Sequence, residues 1–524
     1  MTRANENNDH NLLVVSDLHL GEDLRPGGTG VSYLRHLVKL EREFEKFIAH
    51  HTARRDDDRP WRLVVNGDMI DFMSMKILPD ADPVIEEDVE VTQSGLQLDE
   101  DRLYGLGFDE RAAQKKLESV IVRHQGIFRA LGEFVKAGNE LVIIVGNHDV
   151  EFHYEMVQRT FVEWLCGFAL GVGTPTAAIT EGSEHPDRAA FIARVQFCPW
   201  FYYQENCIYI EHGHQFDEYC AFDYQLDPVP LKPVALAQRP RRSKSRFALS
   251  MAHAGMRYFA NQIPEYDPHT AEHWGIVSYV RWASALGFKG LSRICFLYGL
   301  LVWKVVEAWY AMRNADGERR NIHLIRLRAL SHQWRITEDK LHALAALHRV
   351  PVTRRFFGVV RALFIDRVLL SGVSIAVALA LLIALDGPRR YWAPAATLVV
   401  SFAINNVLGW LRLESSAQRL RSVPIMVQAL VGAPLIVFGH SHAPERVPLP
   451  NGAVYFNTGT WASDDASLAF THLVVHSPGG DGTSGGGKGN QMHAELRQWR
   501  DGASAPFEAA EPALAHGSGK APKA

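Results

Sequence analysis

Paired cysteines are what this 524-residue sequence most plainly lacks. Its five (Cys166, Cys198, Cys207, Cys220 and Cys295) are odd in number and scattered, with no C-x-x-C pair. That excludes a disulfide-stapled secreted fold and a zinc knuckle, and fits a reducing compartment. A charge excess is missing too. The net charge is −4, so composition makes no general case for a nucleic-acid partner, and any basic patch must be local. The opening MTRANENNDHN has no apolar run like that of a signal peptide, so the chain is expected to begin in the cytosol. No internal repeat is visible. Length alone sets two to four domains, or one domain with large insertions.

What is present is an alternation of short apolar runs with helical patterns. LLVVS (12–16), RLVVNG (62–67) and ELVIIVG (140–146) are strand-like, and segments 33–51 and 117–139 carry helical spacing between them. This predicts a layered α/β core. Two adjacent strands are expected over 191–212. Residues 230–430 then read as helix almost throughout, and strands return at 434–439, 453–459 and 471–477. A Gly-rich linker at 479–489 precedes a short last segment and an Ala/Pro tail expected to be disordered.

Five of the strand-like runs end in polar side chains of one kind. SDLHLG supplies Asp17 and His19, NGDMID supplies Asp68, and GNHD supplies Asn147, His148 and Asp149. EHGHQFD supplies His212 and His214, and FGHSH supplies His440 and His442. In an open α/β sheet ligands bind beyond the carboxyl ends of the strands, so these blocks are expected to meet at one edge. Taken singly, each block reads as well as a helix cap, a turn or a loop. Together they form a nitrogen and oxygen ligand set, without thiolate, suited to two first-row divalent ions sharing a carboxylate.

The order D-x-H, G-D, G-N-H-D, H, G-H-x-H resembles the calcineurin-like metallophosphoesterase superfamily, over roughly residues 10–225 and 431–500. The resemblance implies a β-sandwich flanked by helices and metal-activated hydrolysis of a phosphoester or pyrophosphate bond. It also implies two sets of metal ligands. Asp17, His19, Asp68 and His442 would hold one ion, and Asp68 would bridge to a second held by Asn147, His212 and His440. His148 would stabilise charge or protonate the leaving oxygen, and Asp149 would orient it. His214 is expected to support the site. Manganese is the expected metal, with iron and zinc compatible.

The stretch between His212 and His440 departs from that pattern. Inside it, 368–385 and 392–411 contain no charged residue. At about 1.5 Å per residue, each can cross a hydrocarbon core of about 30 Å. Tyr391, Trp392 and Trp410 sit where an interfacial aromatic belt would put them. Two crossings keep both halves of the site on one side. Arg354, Arg355, Arg361 and Arg367 before the pair, with Arg412, Arg419 and Arg421 after it, outweigh Arg389 and Arg390 between. The expectation is a multi-pass protein of the inner (cytoplasmic) membrane with its catalytic part facing the cytoplasm. The alternative is a buried helical hairpin, which Pro394 and the Asn405–Asn406 pair favour. RPRRSKSR (239–246) is either a solvated loop or a contact for an anionic head group through Arg241, Arg242 and Lys244. The apolar segment 294–312 reads as a core helix or an interfacial one.

The expected domains are 1–228 and 431–500 for the two parts of the metallophosphoesterase unit, 229–430 for a helical insertion and 501–524 for the tail. The expected partners are a membrane and a phosphoester substrate, with a lipid-linked substrate suggested by similarity in motif order to UDP-diacylglucosamine hydrolases. Those enzymes are shorter and often carry Arg where His148 stands. The alternatives are a tethered nucleotide or phosphoprotein phosphoesterase and a non-catalytic regulatory membrane protein.

Overall fold

A computed structural model describes residues 10–24, 31–79, 101–171, 186–228, 250–263, 281–282, 284–312, 316–410, 420–463, 465–477 and 493–508. The strands in chain order are β1 (Asn11–Val15), β2 (Trp61–Asn66), β3 (Glu140–Ile144), β4 (Val195–Cys198), β5 (Phe201–Gln204) and β6 (Ile208–Glu211). They continue with β7 (Leu435–Phe438), β8 (Glu445–Pro448), β9 (Val454–Asn457), β10 (Thr471–His476), β11 (His493–Arg500) and β12 (Ala503–Pro506). They form a seven-stranded sheet, β12-β11-β10-β1-β2-β3-β4, and a five-stranded sheet, β5-β6-β7-β9-β8. Both are mixed. β1 to β4 run parallel and β10 to β12 antiparallel. β6, β7 and β9 run parallel between antiparallel edges.

Alternation along the strands explains the layering. Leu13, Val15, Leu63, Val65, Leu141 and Ile143 point to one face of the larger sheet and pack on helices Val31–Ala53, Glu110–Arg123, Gln125–Lys136 and Glu155–Leu170. Leu12, Val14, Val64, Val142 and Ile144 point the other way and share a core with Ile210, Val437 and Phe456 of the smaller sheet. The sheets therefore stack face to face. The strands expected over 191–212 divide between them. β4 closes the larger sheet, and after Pro199 and Trp200 the chain starts β5 in the smaller one.

β6 and β7 are parallel neighbours, with Ile208 opposite Leu435 and Ile210 opposite Val437. The described residues between them contribute no strand to either sheet. Part of that stretch covers the smaller sheet: Leu327, Leu330, Trp334, Leu341 and Leu344, on helices Asp316–Trp334 and Glu338–Ala346, join its core. Another part, with Met251, Tyr258, Leu301, Val305, Val359 and Leu363, has a small core of its own. Helices Ile365–Ala384 and Arg389–Trp410 pack against each other, and both are long and apolar enough to cross a membrane. Only 11% of either apolar window is buried. Among the described residues, the buried ones of the pair are Ser374, Ala378, Pro394 and Ser401. Asn405 reaches Ser371 Oγ at 3.3 Å and its carbonyl accepts from Arg367, so this asparagine serves the helix pair itself.

Two expectations change. The tail expected from 501 begins with β12, a hairpin partner of β11 pairing Ser504 with Trp499; residues 509–524 lie outside the described residues. The single helix expected over 117–139 is two, broken at His124, whose side chain turns to Glu41 and Asp23.

The core between helix Val31–Ala53 and β10 carries a pH liability. His51 and His472 are buried beside Phe47, with Nδ1 of His51 on the Phe47 carbonyl and Nε2 of His472 on Ser504 Oγ. Burial, aided by the cations of His50 and Arg497, depresses them to about 4 and about 3. An unfolded chain takes up their protons near pH 6.5 and the folded chain does not, so their stabilisation is intact above about 6.5 and is lost as pH falls. At pH 5 the loss is about 2 kcal/mol for each. Denaturant midpoints at pH 7 and pH 5 are expected to differ less in the variant His51→Gln/His472→Gln than in the wild type. Equal differences would show that neither histidine controls acid stability.

Candidate metal centre

The edge at which β1, β2, β3, β6 and β7 end gathers every block singled out in the sequence. They come from both sheets, β1, β2 and β3 from the larger and β6 and β7 from the smaller. Beyond β1 and β2 the chain continues as paired loops. Asp17 N donates to Gly67 O (3.2 Å), His19 N to Asp68 O (3.0 Å), Leu20 N to Met69 O (3.0 Å) and Asp71 N to Leu20 O (2.9 Å). The smaller sheet is tied to this ladder. Gly439 N donates to His212 O (3.0 Å), Ser16 Oγ meets Thr458 Oγ1 (2.7 Å) and Thr460 Oγ1 donates to Asp17 O (2.8 Å). Asn457 Nδ2 holds Gly439 O (2.8 Å) and Ser441 Oγ (3.0 Å).

Crowding at this edge sets local sequence. Asp17, His19, Asp68, His440 and His442 all have positive φ, between 50° and 64°. That is a left-handed conformation which costs an L residue on the order of 1–3 kcal/mol and clusters at functional sites. Two glycines are fixed by close approach. A Cβ at Gly146 would stand 2.2 Å from Asp68 Oδ1, and one at Gly67 would stand 2.3 Å from His212 Nδ1.

The side chains singled out form three overlapping groups with ligand atoms within 4.8 Å of one another: Asp17, His19 and His442; His19, Asp68 and His148; Asp68, His212 and His440; Asp217 and Cys220 make a further group with His440. Asp17 Oδ1 lies 3.1 Å from His442 Nε2 and 3.8 Å from His19 Nε2, and the two imidazole nitrogens are 3.2 Å apart. His212 Nε2 lies 3.1 Å from Asp68 Oδ2 and 3.2 Å from Asn147 Oδ1, while its Nδ1 rests on the Asn66 carbonyl (2.8 Å). His440 Nε2 is buried and makes no hydrogen bond among the described residues; Asp217 Oδ2 is 3.6 Å away. Two neighbouring imidazole nitrogens bound at about 2.0–2.1 Å to one tetrahedral or octahedral ion stand about 2.8–3.4 Å apart. The His19–His442 spacing therefore suits ligation of one divalent ion. Asp68, His19 and His440 each belong to two groups.

Electrostatics point the same way. Asp17, Asp68, Asp71 and Asp149 are buried together. Burial would raise Asp68, yet His212 and His148 hold it well below the usual carboxylate range. Burial also opposes a proton on His148 and His212, but Asp71 and Asp68 lift the first to about 10 and Asp68 lifts the second to about 9. Cations that bound these carboxylates would take over that compensation. Burial lowers His19.

Contrary to the expectation that Asp149 orients His148, Asp149 makes no hydrogen bond to it among the described residues. Its two oxygens accept from the backbone N–H of Gly146 (2.7 Å) and Met69 (2.8 Å), which fixes the loop after β3 against the loop after β2. Burial and Asp68 push it up to about 7. The partner of His148 is Asp71, whose Oδ1 is 2.8 Å from Nδ1, while the His148 backbone N–H donates to Asp68 Oδ1 (2.8 Å). Asp71 stands in NGDMID three positions after Asp68, and that nearness was its only sequence signal. His212 faces Asp68; His214 lies beside it, ring centroids 5.4 Å apart, in none of the three groups. Asp217, beside His440, and the Asn457–Thr460 support were not singled out from sequence. Arg241, Arg242 and Lys244 lie outside the described residues.

The Gly146 contact yields a sharp test. Gly146→Ala is expected to push Asp68 aside and to lower bound metal per chain at least tenfold. Gly255→Ala, where an added Cβ meets nothing within 4 Å, should leave metal content unchanged. Elemental analysis after dialysis reads both, and full occupancy in the Gly146 variant would show that Asp68 binds no ion.

No family model, curated protein or solved structure matches this chain. What stands is a mixed α/β fold with two mixed sheets and buried His/Asp groups able to hold metal at one shared edge.

Proposed function

We propose that this chain is a membrane-associated, dinuclear-metal phosphoesterase of the calcineurin-like metallophosphoesterase type, acting on a phosphoester or pyrophosphate bond. The observation that carries the reading is the spacing around Asp68 and Asp17: imidazole, carboxylate and amide ligand atoms 3.1–3.2 Å apart in two adjoining sets. Asp17, His19, Asp68 and His442 are the residues for one ion, and Asp68, Asn147, His212 and His440 for the other. Two divalent ions so placed supply Lewis acidity and an activated water for in-line displacement at phosphorus. Manganese, iron and zinc all suit such ligands.

The chain's own residues do the rest. His148, with Nδ1 held on Asp71, directs Nε2 to the opposite side of its ring, where it can donate to a phosphoryl or leaving oxygen. Asp149 acts at one remove by pinning Gly146 and Met69, so the loops bearing Asn147 and Asp68 keep their spacing. A lipid-linked substrate is favoured by the sparsely buried helix pair 365–384 and 389–410, which would hold the site at a membrane where such substrates concentrate. An even number of crossings leaves both halves of the site on one side, and the flanking arginines put that side in the cytoplasm.

Asp68→Ala is expected to lose bound metal and phosphoester hydrolysis together. His148→Ala should keep its metal and lose activity by about 10²–10⁴-fold, the usual range for a positioned acid or base. Metal analysis alongside a panel of phosphomonoesters, phosphodiesters and pyrophosphates separates the two. Metal loss in the His148 variant as complete as in the Asp68 variant would refute this division of roles. Wild-type protein that binds divalent metal but hydrolyses nothing in the panel would favour a regulatory protein on this fold.

The membrane part has its own check. Replacing 368–411 by a short flexible linker should move the protein from the membrane to the soluble fraction with hydrolysis of a small phosphodiester retained, since no ligand lies inside that stretch. Wild-type protein that is soluble without detergent would refute the membrane assignment.

A further inference from the structure

Helix Gly287–Met312 has apolar residues on both sides. Its inward face is accounted for: Leu301 and Val305 pack with Met251, Tyr258, Val352 and Val359, and Tyr298 Oη donates to the Leu363 carbonyl at 2.6 Å. The outward face carries Phe288, Leu291, Cys295, Phe296, Trp303 and Val306, which at helical spacing share one side of the helix. Exposure of the largest is 87% for Phe288, 71% for Phe296 and 67% for Trp303. A helix in water presents polar residues on the face opposite its packed one, and a run of exposed aromatics marks a surface that something covers.

What covers it is indicated by its neighbours. Leu363, to which the helix is bonded, lies two residues before helix Ile365–Ala384. Helix Phe356–Ala362, packed in the same small core, exposes Phe356 (60%) and Phe357 (78%), and Phe364 (50%) leads into the apolar pair. Exposed apolar residues thus recur on adjoining elements, from helix Gly287–Met312 to Phe356, Phe357 and Phe364 and on to Val368 and Leu369. Exposed cations accompany it: Lys289, Arg293, Arg355 and Arg361. Aromatic side chains with lysine and arginine beside them are the composition of a helix lying at the boundary between head groups and acyl chains.

We propose that helix Gly287–Met312 lies in the plane of an anionic lipid surface, outward face down, as a second membrane contact next to the helix pair. This rests on the membrane reading of helices Ile365–Ala384 and Arg389–Trp410. It adds a functional consequence. Helix Met251–Tyr258 packs on the inward face, and its 3-10 extension bonds to the loop after β2 through Asn261 Nδ2 to Met73 O (2.9 Å) and Lys76 Nζ to Gln262 Oε1 (2.7 Å). The metal edge is therefore braced against the element that touches lipid, and its height above the bilayer is fixed rather than left to a flexible tether.

Cys295 supplies the probe, because it is exposed on the outward face while Cys166, Cys198 and Cys207 are buried. Full-length protein carrying Cys220→Ser, spin-labelled at Cys295, is placed in vesicles of phosphatidylcholine and phosphatidylglycerol. Labels at Val373→Cys in the helix pair and Lys136→Cys on the far side of the larger sheet, each with Cys295→Ser, serve as references. The ratio of collisions with dissolved oxygen to those with a water-soluble nickel complex is expected to be several-fold higher at Cys295 than at Lys136→Cys, and highest at Val373→Cys. A ratio at Cys295 equal to that at Lys136→Cys, with Val373→Cys in lipid, overturns the in-plane helix and leaves the membrane reading standing. All three ratios alike overturn both. Dipolar broadening between Cys295 labels would show that a second copy of the chain covers the face, and would also overturn the proposal.

Discussion

The Asp68 carboxylate is the group on which the rest of the candidate metal edge depends. It is buried among three other carboxylates and is held ionised by His212 and His148. Removing a charge from water is costly unless it is paired. Its two oxygens already serve different sides of the site, Oδ1 accepting the His148 backbone N–H and Oδ2 facing His212. Because it stands so close to β3, the residue opposite must be glycine at 146, and because His212 presses on its loop, the residue before it must be glycine at 67. Strained backbone at Asp17, His19, Asp68, His440 and His442 is the other face of the same crowding. A chain gains nothing in stability from such an arrangement, so the natural account is a ligand that it serves.

Sheet topology explains how so long a segment can interrupt one site. β6 and β7 are parallel neighbours, and a parallel connection must in any case leave the sheet and return. The fold needs only that Glu211 leaves and Leu435 arrives on adjacent tracks. The length of chain between them is free to carry other work. Here part of it covers the smaller sheet, and part exposes an apolar helix pair and the helix packed beside it. One connection thus joins the chemistry to whatever that apolar surface meets.

Much of the site was legible in the sequence because its blocks sit directly after apolar runs, and strand ends are where a sheet delivers side chains. Asp17, His19, Asp68, Asn147, His148, His212, His440 and His442 do meet. What the sequence hid was contact across distance. Asp149 looked like the partner of His148 because it is next to it; in a loop ending a strand, adjacent side chains diverge, and Asp71 from a different strand end takes that place. Which strands belong to which sheet was hidden for a similar reason. The switch at Pro199 and Trp200 spans two residues within one apolar stretch, and periodicity alone gives the same pattern for strands in one sheet or in two. The short strand after 501 was missed because Ala503–Pro506 has little strand preference and owes its form to pairing with β11.

The asparagine pair in the second apolar helix shows how composition misleads when side chains are counted one by one. Asn405 and Asn406 argued for a helix buried in a soluble core. Asn405 instead bonds Ser371 and Ser401 and takes Arg367 on its carbonyl, so its polarity is spent inside the helix pair. Asn406 turns to the carbonyl of Phe402 one turn back. Polar groups satisfied within a two-helix unit leave its outer surface as apolar as if they were absent, which is what an apolar solvent requires. The same test applies to helix Gly287–Met312. Lys304 pairs with Glu307 and lies over the Tyr258 ring, toward the protein, while Phe296 and Trp303 point away. In each case the face a charge occupies, rather than its presence in the run, decides which solvent the helix suits.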